Sequence, residues 1–566
     1  MTAEHAAGGP EALPGSPGPG ETPYALLAAT LEQVAGERGK LAKIDRLARC
    51  LDSVADEDLS VAARLLSGAL FAEWEQSVTS VGWSTVARAA SEVTGWDLET
   101  IGASTRAIGD LGEAVSLLLD PGAGGTLTVA EVDARLRALS GVRKAAGKIE
   151  AIAELLRLSS PVEGKYLLKT LSGGLRIGAD VTTVEEAIAR AFGADREAVA
   201  RAHRDSGDIG ETAAKAKRGA LAEIEFRLFH PIGFMLASPI EHAEEVAEEL
   251  ALFAVEDKFD GIRAHAHKAG SHVALFSRTL DDVTVQFPEV AVGLALMPGS
   301  FLLDGEILAY RDGRPDSFFR LQRRLGRKAP APDLIADFPV AFIAYDCLAR
   351  NGRPLFEAPW TTRREALEAI AREGPLLLSA AGRADTPAAL ERYFDEARSR
   401  GNEGLMLKRL DSPYQAGKRG RAWRKFKKAI GTLDVVVTAV EQGNGKRAGM
   451  LSDYTFGVRD GERIVNIGKA YSGLTDEEIR RMGAHFRKIT VARYGPVRSV
   501  SPDVVLEVAF DTIQKSNRHH SGYALRFPRI VRIRTDKTPA QATTLEEVEQ
   551  LYRSLHGDPG SGSRPE

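Results

Sequence analysis

The stretch Lys258-Phe259-Asp260-Gly261-Ile262-Arg263 joins a possible lysine nucleophile, a turn-forming Asp-Gly pair and an arginine that can contact phosphate. A β-type run, Leu252 to Val255, precedes it, so the lysine is expected at a strand end, with its side chain in a cleft. A lysine amine attacks phosphorus only after it loses its proton, which neighbouring cations favour. The pattern therefore suggests covalent nucleotidyl transfer through Lys258, although a surface lysine before a hairpin turn has the same local sequence.

Two further elements place carboxylates at strand positions. In Asp304-Gly305-Glu306, which follows the apolar run Phe301 to Leu303, the carboxylates are one residue apart and therefore point to the same face of a strand. Such a pair can hold Mg²⁺ or a ribose hydroxyl. Glu403 begins another apolar run that ends in Lys408, and its carboxylate suits a hard divalent metal. Taken separately, each element is also typical of a solvated strand end.

Two basic segments can bind phosphate groups. From Arg421 to Lys428 cations alternate with bulky residues, and in an extended strand Arg421, Lys425 and Lys427 share one face with Trp423. Lysines that project together into a pocket form a phosphate clamp. The segment from Arg526 to Lys537 carries five cations in twelve residues and could bind pyrophosphate or a DNA backbone. A basic surface strand without a ligand is the alternative.

The chain of 566 residues is too long for one hydrophobic core, so three domains are predicted. Residues up to about Glu225 show helical periodicity, as in Ile149, Ile152, Leu155 and Leu156. Short β-type runs then alternate with helices, and after Lys428 the chain becomes mostly strand-like. The predicted fold is multidomain, with these segments: a disordered tail (1–21), an all-α domain (22–226), an α+β domain (227–429), a barrel of the oligonucleotide-binding (OB) type (430–554) and a second disordered tail (555–566).

The composition excludes several classes of protein. Hydrophobic residues make up 44% and charged residues 27%, which is ordinary for a globular chain. Cys50 and Cys347, the two cysteines, cannot build a disulfide framework or a four-cysteine zinc site. The formal net charge of −4 argues against a uniformly basic nucleic-acid binder, so phosphate binding would depend on local patches. The sequence shows no membrane span or secretory segment, and a cytoplasmic protein is expected.

Taken in order, these elements resemble the motifs of the ATP-dependent DNA ligase family, which belongs to the covalent nucleotidyltransferases. The matching motifs are Lys258 to Arg263, Phe276-Ser277-Arg278-Thr279, Asp304-Gly305-Glu306, Phe342-Ile343-Ala344-Tyr345-Asp346, Glu403-Gly404, Lys425-x-Lys427 and Arg526-Phe527-Pro528-Arg529. The stretch Leu171 to Gly178 looks like the signature of the family's N-terminal DNA-binding domain. The resemblance implies a three-domain ligase with a helical DNA-binding domain, an adenylation domain and an OB-fold domain.

The resemblance also implies a role for each motif residue. Lys258 would be the catalytic residue that attacks the α-phosphorus of ATP and becomes lysyl-AMP. The residues expected to contact ATP are Glu256, Arg263, Arg278, Glu306, Tyr345, Arg421, Lys425 and Lys427. Glu306 and Glu403 would bind Mg²⁺. The residues expected to orient pyrophosphate when the barrel closes on the core are Arg526, Arg529, Asp536 and Lys537.

The expected partner is nicked double-stranded DNA, sealed in replication, repair or recombination by a monomeric, nucleoid-associated enzyme of the bacterial cytoplasm. We expect no membrane association, and the N-terminal tail contains no recognisable sliding-clamp peptide. An RNA ligase or an RNA-capping guanylyltransferase would use the same lysine chemistry, but the helical N-terminal domain favours the DNA ligase. A NAD-dependent ligase is disfavoured because two cysteines cannot form its zinc module. A DNA-binding protein that keeps the fold without catalysis is the remaining alternative.

Overall fold

The computed structural model describes residues 20–120, 126–316, 318–327, 329–428, 431–443, 447 and 449–556. The chain divides into two compact units, one of Met1–Leu98 with Val115–Lys427, and one of Glu99–Ala114 with Lys428–Glu566. Within the described residues, no helix has both the length and the apolar character that crossing a membrane requires. The predicted tails fall mostly on residues 1–19 and 557–566, which lie outside the described part of the chain.

The regular structure described between Tyr24 and Lys217 is helical, as predicted. The helices are Tyr24–Gly36 (α1), Lys40–Ser53 (α2), Leu59–Ser67 (α3), Trp83–Thr94 (α4), Leu98–Ile108 (α5), Leu111–Ser116 (α6), Val129–Ala138 (α7), Ala145–Arg157 (α8), Pro161–Leu171 (α9), Val181–Ala191 (α10), Arg196–Ser206 (α11) and Ile209–Lys217 (α12). The apolar face predicted around Ile149 is buried in α8. Ser160 then caps α9, because its hydroxyl accepts a hydrogen bond from the backbone N–H of Glu163, and Pro161 occupies the first helical position.

The first unit also contains two mostly antiparallel β-sheets. Their strands are Leu236–Ile240 (β1), Phe253–Lys258 (β2), Ile262–Ala269 (β3), His272–Ser277 (β4), Phe301–Arg311 (β5), Arg314–Pro315 (β6), Val340–Arg350 (β7), Arg353–Pro354 (β8), Leu377–Leu378 (β9), Ala381–Gly382 (β10), Gly404–Arg409 (β11) and Arg419–Phe426 (β12). Sheet A has the order β1-β12-β11-β2-β10. Sheet B has the order β4-β3-β5-β7-β8, with β6 on β5 and β9 on β7.

Helices cover the outer faces of these sheets, and the inner faces meet. The helices are Pro288–Ala295 (α13), Phe318–Gln322 (α14), Pro332–Asp337 (α15), Trp360–Arg372 (α16) and Pro387–Ser399 (α17). Alternate residues of sheet A, such as Val255 and Leu407, pack with Phe394 of α17. Leu303 and Ile307 of sheet B pack with Leu367 of α16. A third cluster contains Trp423 and Tyr414 together with Leu302 and Leu348, and it joins the two sheets.

The carboxyl-terminal unit is rich in strands, which is consistent with the predicted barrel. Its elements are Gly431–Gln442 (β13), Leu451–Asp460 (β14), Arg463–Ala470 (β15), Asp476–Lys488 (α18), Thr490–Tyr494 (β16), Val497–Val500 (β17), Val505–Phe510 (β18), Thr512–Lys515 (β19), Tyr523–Arg526 (β20), Arg529–Ile533 (β21) and Leu545–His556 (α19). Strand β13 pairs with β14 along one edge, and with β18 and then β17 along the other. Strand β13 therefore links three other strands, as a long bent strand does in a small barrel.

Three details differ from the sequence-based expectation. The helix expected from Asp476 to Tyr494 ends at Lys488, and Thr490–Tyr494 is a strand paired with β17, because its β-branched and aromatic residues fit a half-exposed edge. The second helix, α19, was not predicted. It packs Val548 into the core of the unit, and it includes residues 555 and 556, which were assigned to the tail.

We predict that His203 stabilises the folded chain more at low pH than at high pH. Burial alone would lower the pKa of His203, but the Glu185 carboxylate, 2.7 Å from Nδ1, and the neighbouring Glu73 outweigh it and raise the pKa. The stabilisation is therefore complete below the unfolded pKa of about 6.5 and is lost as pH rises through the folded pKa. Thermal unfolding should show a larger loss of Tm for His203→Gln at pH 6 than at pH 9.

His520→Gln is the matched control, because His520 is exposed. It should lower Tm by the same small amount at both pH values. An equal loss at pH 6 and pH 9 for His203→Gln would contradict the assignment.

Candidate active site

Strand alternation places the predicted site residues on the facing sides of the two sheets. On sheet A, Glu256 and Lys258 alternate with Val255, which faces α17. Lys408 alternates with Leu407 in the same way. The inward positions of sheet B are Arg263, His265, Asp304, Glu306 and Tyr345, whose neighbours Ala264 and Leu303 pack on the opposite face. The cleft between the sheets therefore collects most of the predicted residues.

Lys258 lies at the end of β2, directly opposite Gly404 of β11. Its Nζ donates a short hydrogen bond to Oε2 of Glu403, and Nζ of Lys427 lies 2.6 Å from the same oxygen. Burial alone would raise the pKa of Glu403, but the ammonium groups of Lys258 and Lys427 outweigh it and lower the pKa well below its usual value. One ionised carboxylate thus holds the proposed nucleophile and one clamp lysine together.

Two glycines of the motifs are required by close approach of the backbone. Gly404 has φ of +148°, and a Cβ there would lie 2.3 Å from the carbonyl oxygen of Phe426. A Cβ on Gly261 would lie 2.4 Å from the carbonyl oxygen of Ile307. Any larger residue at either position would push apart the strands that carry Lys258, Glu403 and Glu306.

A buried ion pair lies deeper in the cleft. Nζ of Lys408 is 3.0 Å from Oε2 of Glu256 and donates to the backbone carbonyl of Tyr345 at 2.9 Å. The same ammonium lies over the rings of Tyr345 and Trp423, at 4.4 and 4.6 Å from their centroids. Burial raises the pKa of Glu256, while Lys408 opposes that shift. Among the described residues, Oε1 of Glu256 is buried without a hydrogen-bond partner, although Nη1 of Arg364 lies 4.0 Å away, so Oε1 can accept a hydrogen bond from a ligand.

Arg263 is held beneath Tyr345 by Asp304. Its Nε and Nη2 donate to the two oxygens of Asp304 at 3.0 and 2.6 Å, and Nη1 donates to the carbonyl of Met235. The guanidinium also lies 5.8 Å from the centroid of the Tyr345 ring. Its contact with ribose or phosphate stays a prediction, because these groups already occupy most of its donors. Asp304 is committed as well, so Glu306 is the residue of the Asp-x-Glu pair that remains for a ligand.

Glu306 lies near both halves of the site. Burial raises its pKa to about 8, against the opposing effect of Lys258 and Arg263, and the carboxylates of Asp304 and Glu403 add to the rise. A divalent cation bound at Glu306 would favour the ionised form that burial disfavours.

Lys425 and Arg278 extend the cationic end of the cleft. Burial and the charges of Lys258, Arg419, Lys427 and Arg278 lower the pKa of Lys425. Arg278 is exposed in the turn after β4, and Arg421 is exposed on β12. Of the three residues predicted to form the phosphate clamp, Lys425 and Lys427 lie near Lys258. The third, Arg421, lies two positions before Trp423 and is exposed to solvent.

The four residues predicted to orient pyrophosphate lie in the carboxyl-terminal unit. Asp536 pairs with Arg534 at 2.7 Å, and Nζ of Lys537 lies 2.5 Å from Asp434. Arg526 ends β20, and Arg529 begins β21. Between them Phe527 has φ of +51° and its side chain is 62% exposed. All four residues belong to one short basic segment, and their role stays a prediction.

In the helical region, the stretch from Leu171 to Gly178 forms a loop that is fixed by two buried lysines. Lys43 donates to the carbonyl of Ile177 at 2.6 Å, and Lys169 donates to that of Leu175 at 3.2 Å. Arg176 and Gly178 both adopt positive φ, 53° and 65°. The loop therefore has a defined backbone shape rather than a freely moving one.

Comparisons with known proteins identify the family. Three family profiles match in chain order: "DNA ligase N terminus" over residues 23–189, "ATP dependent DNA ligase domain" over 234–427 and "ATP dependent DNA ligase C terminal region" over 447–537. A "Probable DNA ligase" of Koribacter versatilis is 44% identical over 94% of this chain and 96% of its own length. The chain belongs to the ATP-dependent DNA ligase family. Its function is that of the family, the sealing of nicks in DNA with ATP as co-substrate.

More distant relatives agree with this assignment. The DNA ligase of Methanoculleus marisnigri is 35% identical over 94% of this chain and 99% of its own length, and that of Archaeoglobus fulgidus is 34% identical over 90% and 94%. Among solved structures, "Pmar-Lig_Pre." covers 90% of this chain and 99% of its own, with 15% identity and a TM-score of 0.60, which supports the fold alone. The predicted order of helical, adenylation and strand-rich regions is confirmed.

The sequence-based interpretation did not assign roles to several residues of the cleft. Lys408 was noted only as the end of an apolar strand, and Trp423 only as part of a basic strand. Lys408 alternates with Leu407 of the outer core, and that alternation was a usable signal for its inward position. Tyr414 lies in a loop between strands, where periodicity gives no information about direction.

We predict that Lys408 and Glu256 depend on each other for stability. Lys408→Met leaves the Glu256 carboxylate buried without its partner, and it should cost about 3 kcal/mol of the free energy of unfolding. Glu256→Gln combined with Lys408→Met should cost less than the single Lys408→Met change, because no buried charge then remains unpaired. Urea unfolding of the two single variants and the double variant measures the coupling. Strictly additive losses would contradict the prediction.

Proposed function

We propose that the cleft performs the first chemical step of ligation through Lys258. The neutral amine of Lys258 attacks the α-phosphorus of ATP, the bond to the β-phosphate oxygen breaks, and pyrophosphate leaves. The product is a lysyl-AMP phosphoramidate. The observation that carries this proposal is the pairing of Lys258 and Lys427 with one carboxylate, Glu403, with Lys425 close to both lysines, because it places the nucleophile in a group of cations that suits a triphosphate.

The base-binding end of the cleft supports adenine as the base. Oε1 of Glu256, which has no hydrogen-bond partner in the described part of the chain, can accept a hydrogen bond, which the exocyclic amine of adenine can donate and the 6-oxo group of guanine cannot. Tyr345 offers its ring for stacking, with Lys408 behind it. The residues around ribose and the α-phosphate would be Arg263, Glu306 and Arg278. Arg421, near the start of β12, would reach the outer phosphates.

The residues fit Mg²⁺ as the metal. Among the described residues, no group of three or more His, Cys, Asp or Glu could hold a metal by itself. Mg²⁺ normally uses one or two carboxylates and takes its other ligands from substrate phosphates and water. Glu306 and Glu403 provide such a pair of oxygen donors. The bound ion would neutralise negative charge on the phosphates during transfer.

The later steps need nicked duplex DNA. The AMP passes from Lys258 to the 5′-phosphate at the nick, which then carries AMP as a leaving group, and the 3′-hydroxyl attacks that phosphate and expels AMP. The fixed loop from Leu171 to Gly178, with its Arg176, offers a rigid element for the DNA backbone. We propose that the chain acts on DNA as a monomer. This activity would place it at the bacterial nucleoid.

We predict that Lys258 carries the label in enzyme adenylation. With Mg²⁺ and α-labelled ATP, the protein should acquire one acid-labile label, and Lys258→Ala should acquire none. Chelation of the metal should also prevent labelling. GTP should label poorly because Oε1 of Glu256 would face the 6-oxo group of guanine, and NAD should label poorly because it has no triphosphate for the lysines to bind.

The matched control is Lys418→Ala, an exposed lysine in the turn before β12, which should be labelled like the unmodified chain. Label that survives Lys258→Ala, or label from GTP alone, would overturn the proposed function. Sealing of a nicked duplex, measured in the same samples, should follow the labelling.

We predict that Lys537 acts mainly in the first step. Lys537→Ala should slow enzyme adenylation about tenfold or more, because a cation that contacts pyrophosphate stabilises the leaving group. It should slow the sealing of pre-adenylated nicks much less. Single-turnover rates for the two reactions measure the difference, with Lys488→Ala, an exposed lysine of the same unit, as the control. Equal slowing of both reactions would contradict the role.

A further inference from the structure

Tyr414 occupies a position to which neither the motifs nor the proposed mechanism assigns a role. It lies in the segment between β11 and β12, and it is 2% exposed. Its backbone N–H donates to the carbonyl of Phe356 at 2.7 Å, so the segment is fixed next to β8 and α16. The side chain points into the cluster that joins the two sheets.

The hydroxyl of Tyr414 lies at the centre of a buried polar network. It donates to Oδ2 of Asp304 at 2.8 Å and accepts from the backbone N–H of Met235 at 3.1 Å. Nη2 of Arg263 lies 3.4 Å away, and Nε2 of His265 lies 3.2 Å away. Burial raises the pKa of Tyr414, so the hydroxyl keeps the proton that it donates. Asp304, the acceptor, is completely buried and also holds Arg263.

A second buried ion pair links the ring of Tyr414 to the other side of Tyr345. Arg363 donates to both oxygens of Asp346 at 2.8 and 3.1 Å, and Asp346 follows Tyr345 in the chain. Arg363 also donates to the carbonyl of Ser412 at 2.9 Å, and its guanidinium lies 5.8 Å from the centroid of the Tyr414 ring. Tyr414 therefore contacts both pairs, Arg263–Asp304 and Arg363–Asp346, which flank Tyr345.

We propose that Tyr414 is a positioning residue for nucleotide binding, which acts through Asp304 and Arg263 on the part of the cleft beneath Tyr345. Loss of the hydroxyl leaves Asp304 with Arg263 and the more distant His265, whose Nε2 lies 3.8 Å away, and it leaves the N–H of Met235 without an acceptor. The guanidinium of Arg263, which packs against the rings of Phe234, Tyr345 and Trp423, then has a less defined position. The consequence is weaker binding of ATP with little change in the chemical step, since Tyr414 contacts Asp304 and Arg263 beneath Tyr345, whereas Lys258 is paired with Glu403.

The test is the ATP dependence of enzyme adenylation by Tyr414→Phe in the full-length chain. This variant keeps the ring and removes the hydroxyl. The KM for ATP should rise about tenfold, as expected for the loss of a hydrogen bond to a charged group. The maximal rate should stay within about threefold of the unmodified value. The amount of label at saturating ATP should be unchanged, which shows that the protein is folded and competent.

Tyr454→Phe is the matched control, because Tyr454 is equally buried and its hydroxyl has no hydrogen-bond partner among the described residues. It should leave the KM unchanged. An unchanged KM for Tyr414→Phe overturns the proposal, and so does a loss of labelling at saturating ATP, since the hydroxyl would then serve the core alone. The inference rests on the proposed function. A different result would overturn the proposed function, namely label on the Lys258→Ala variant.

Discussion

The buried ammonium of Lys408 is the interaction on which the nucleotide cleft depends. It comes from sheet A, pairs with Glu256 of the same sheet and donates to the backbone of Tyr345 in sheet B. A buried charge without partners is strongly destabilising, so this position tolerates a lysine only because a carboxylate, a carbonyl and two aromatic faces surround it. The same contacts bring the ring of Tyr345 and the carboxylate of Glu256 to one end of the cleft. The side chain of Lys408 therefore contributes both to the stability of the two-sheet core and to the shape of the base-binding end.

The phosphate end of the cleft is organised in the opposite way. There Lys258, Lys425 and Lys427 lie near each other, and Glu403 compensates part of their charge. The side chains of Lys258 and Lys427 keep 23% and 22% exposure, so they can change partners without leaving a buried charge unpaired. A triphosphate offers such partners, and Glu403 would then be released to a metal ion. The ammonium group at the base end is buried and paired, whereas the lysines at the phosphate end are partly exposed and can change partners.

Much of this arrangement could be predicted from the sequence, because strand alternation carries directional information. A carboxylate at Asp304 and another at Glu306 had to share a face, and Lys425 and Lys427 had to share one as well. Tertiary partners could not be predicted in the same way. The pairing of Asp304 with Arg263 joins β5 to β3, and nothing in the local sequence distinguishes a carboxylate that binds an arginine from one that binds a metal. Likewise, Thr490–Tyr494 follows a helix directly, and only its pairing with β17 makes it a strand.

The two carboxylates of the Asp-x-Glu motif show how the fold resolves this ambiguity. Asp304 is completely buried and surrounded by donors from Arg263 and Tyr414, so it stays ionised and cannot leave its partners without a large loss of stability. Glu306, two residues later on the same strand, is only partly buried, and its environment raises its pKa to about 8, with burial as the largest cause. A carboxyl group with a raised pKa gains the most from a cation, because the cation stabilises the ionised form that burial disfavours. Burial and hydrogen-bond donors therefore give the two carboxyl groups different roles. Asp304 holds Arg263 in place, whereas Glu306 can bind a metal ion or a ribose hydroxyl.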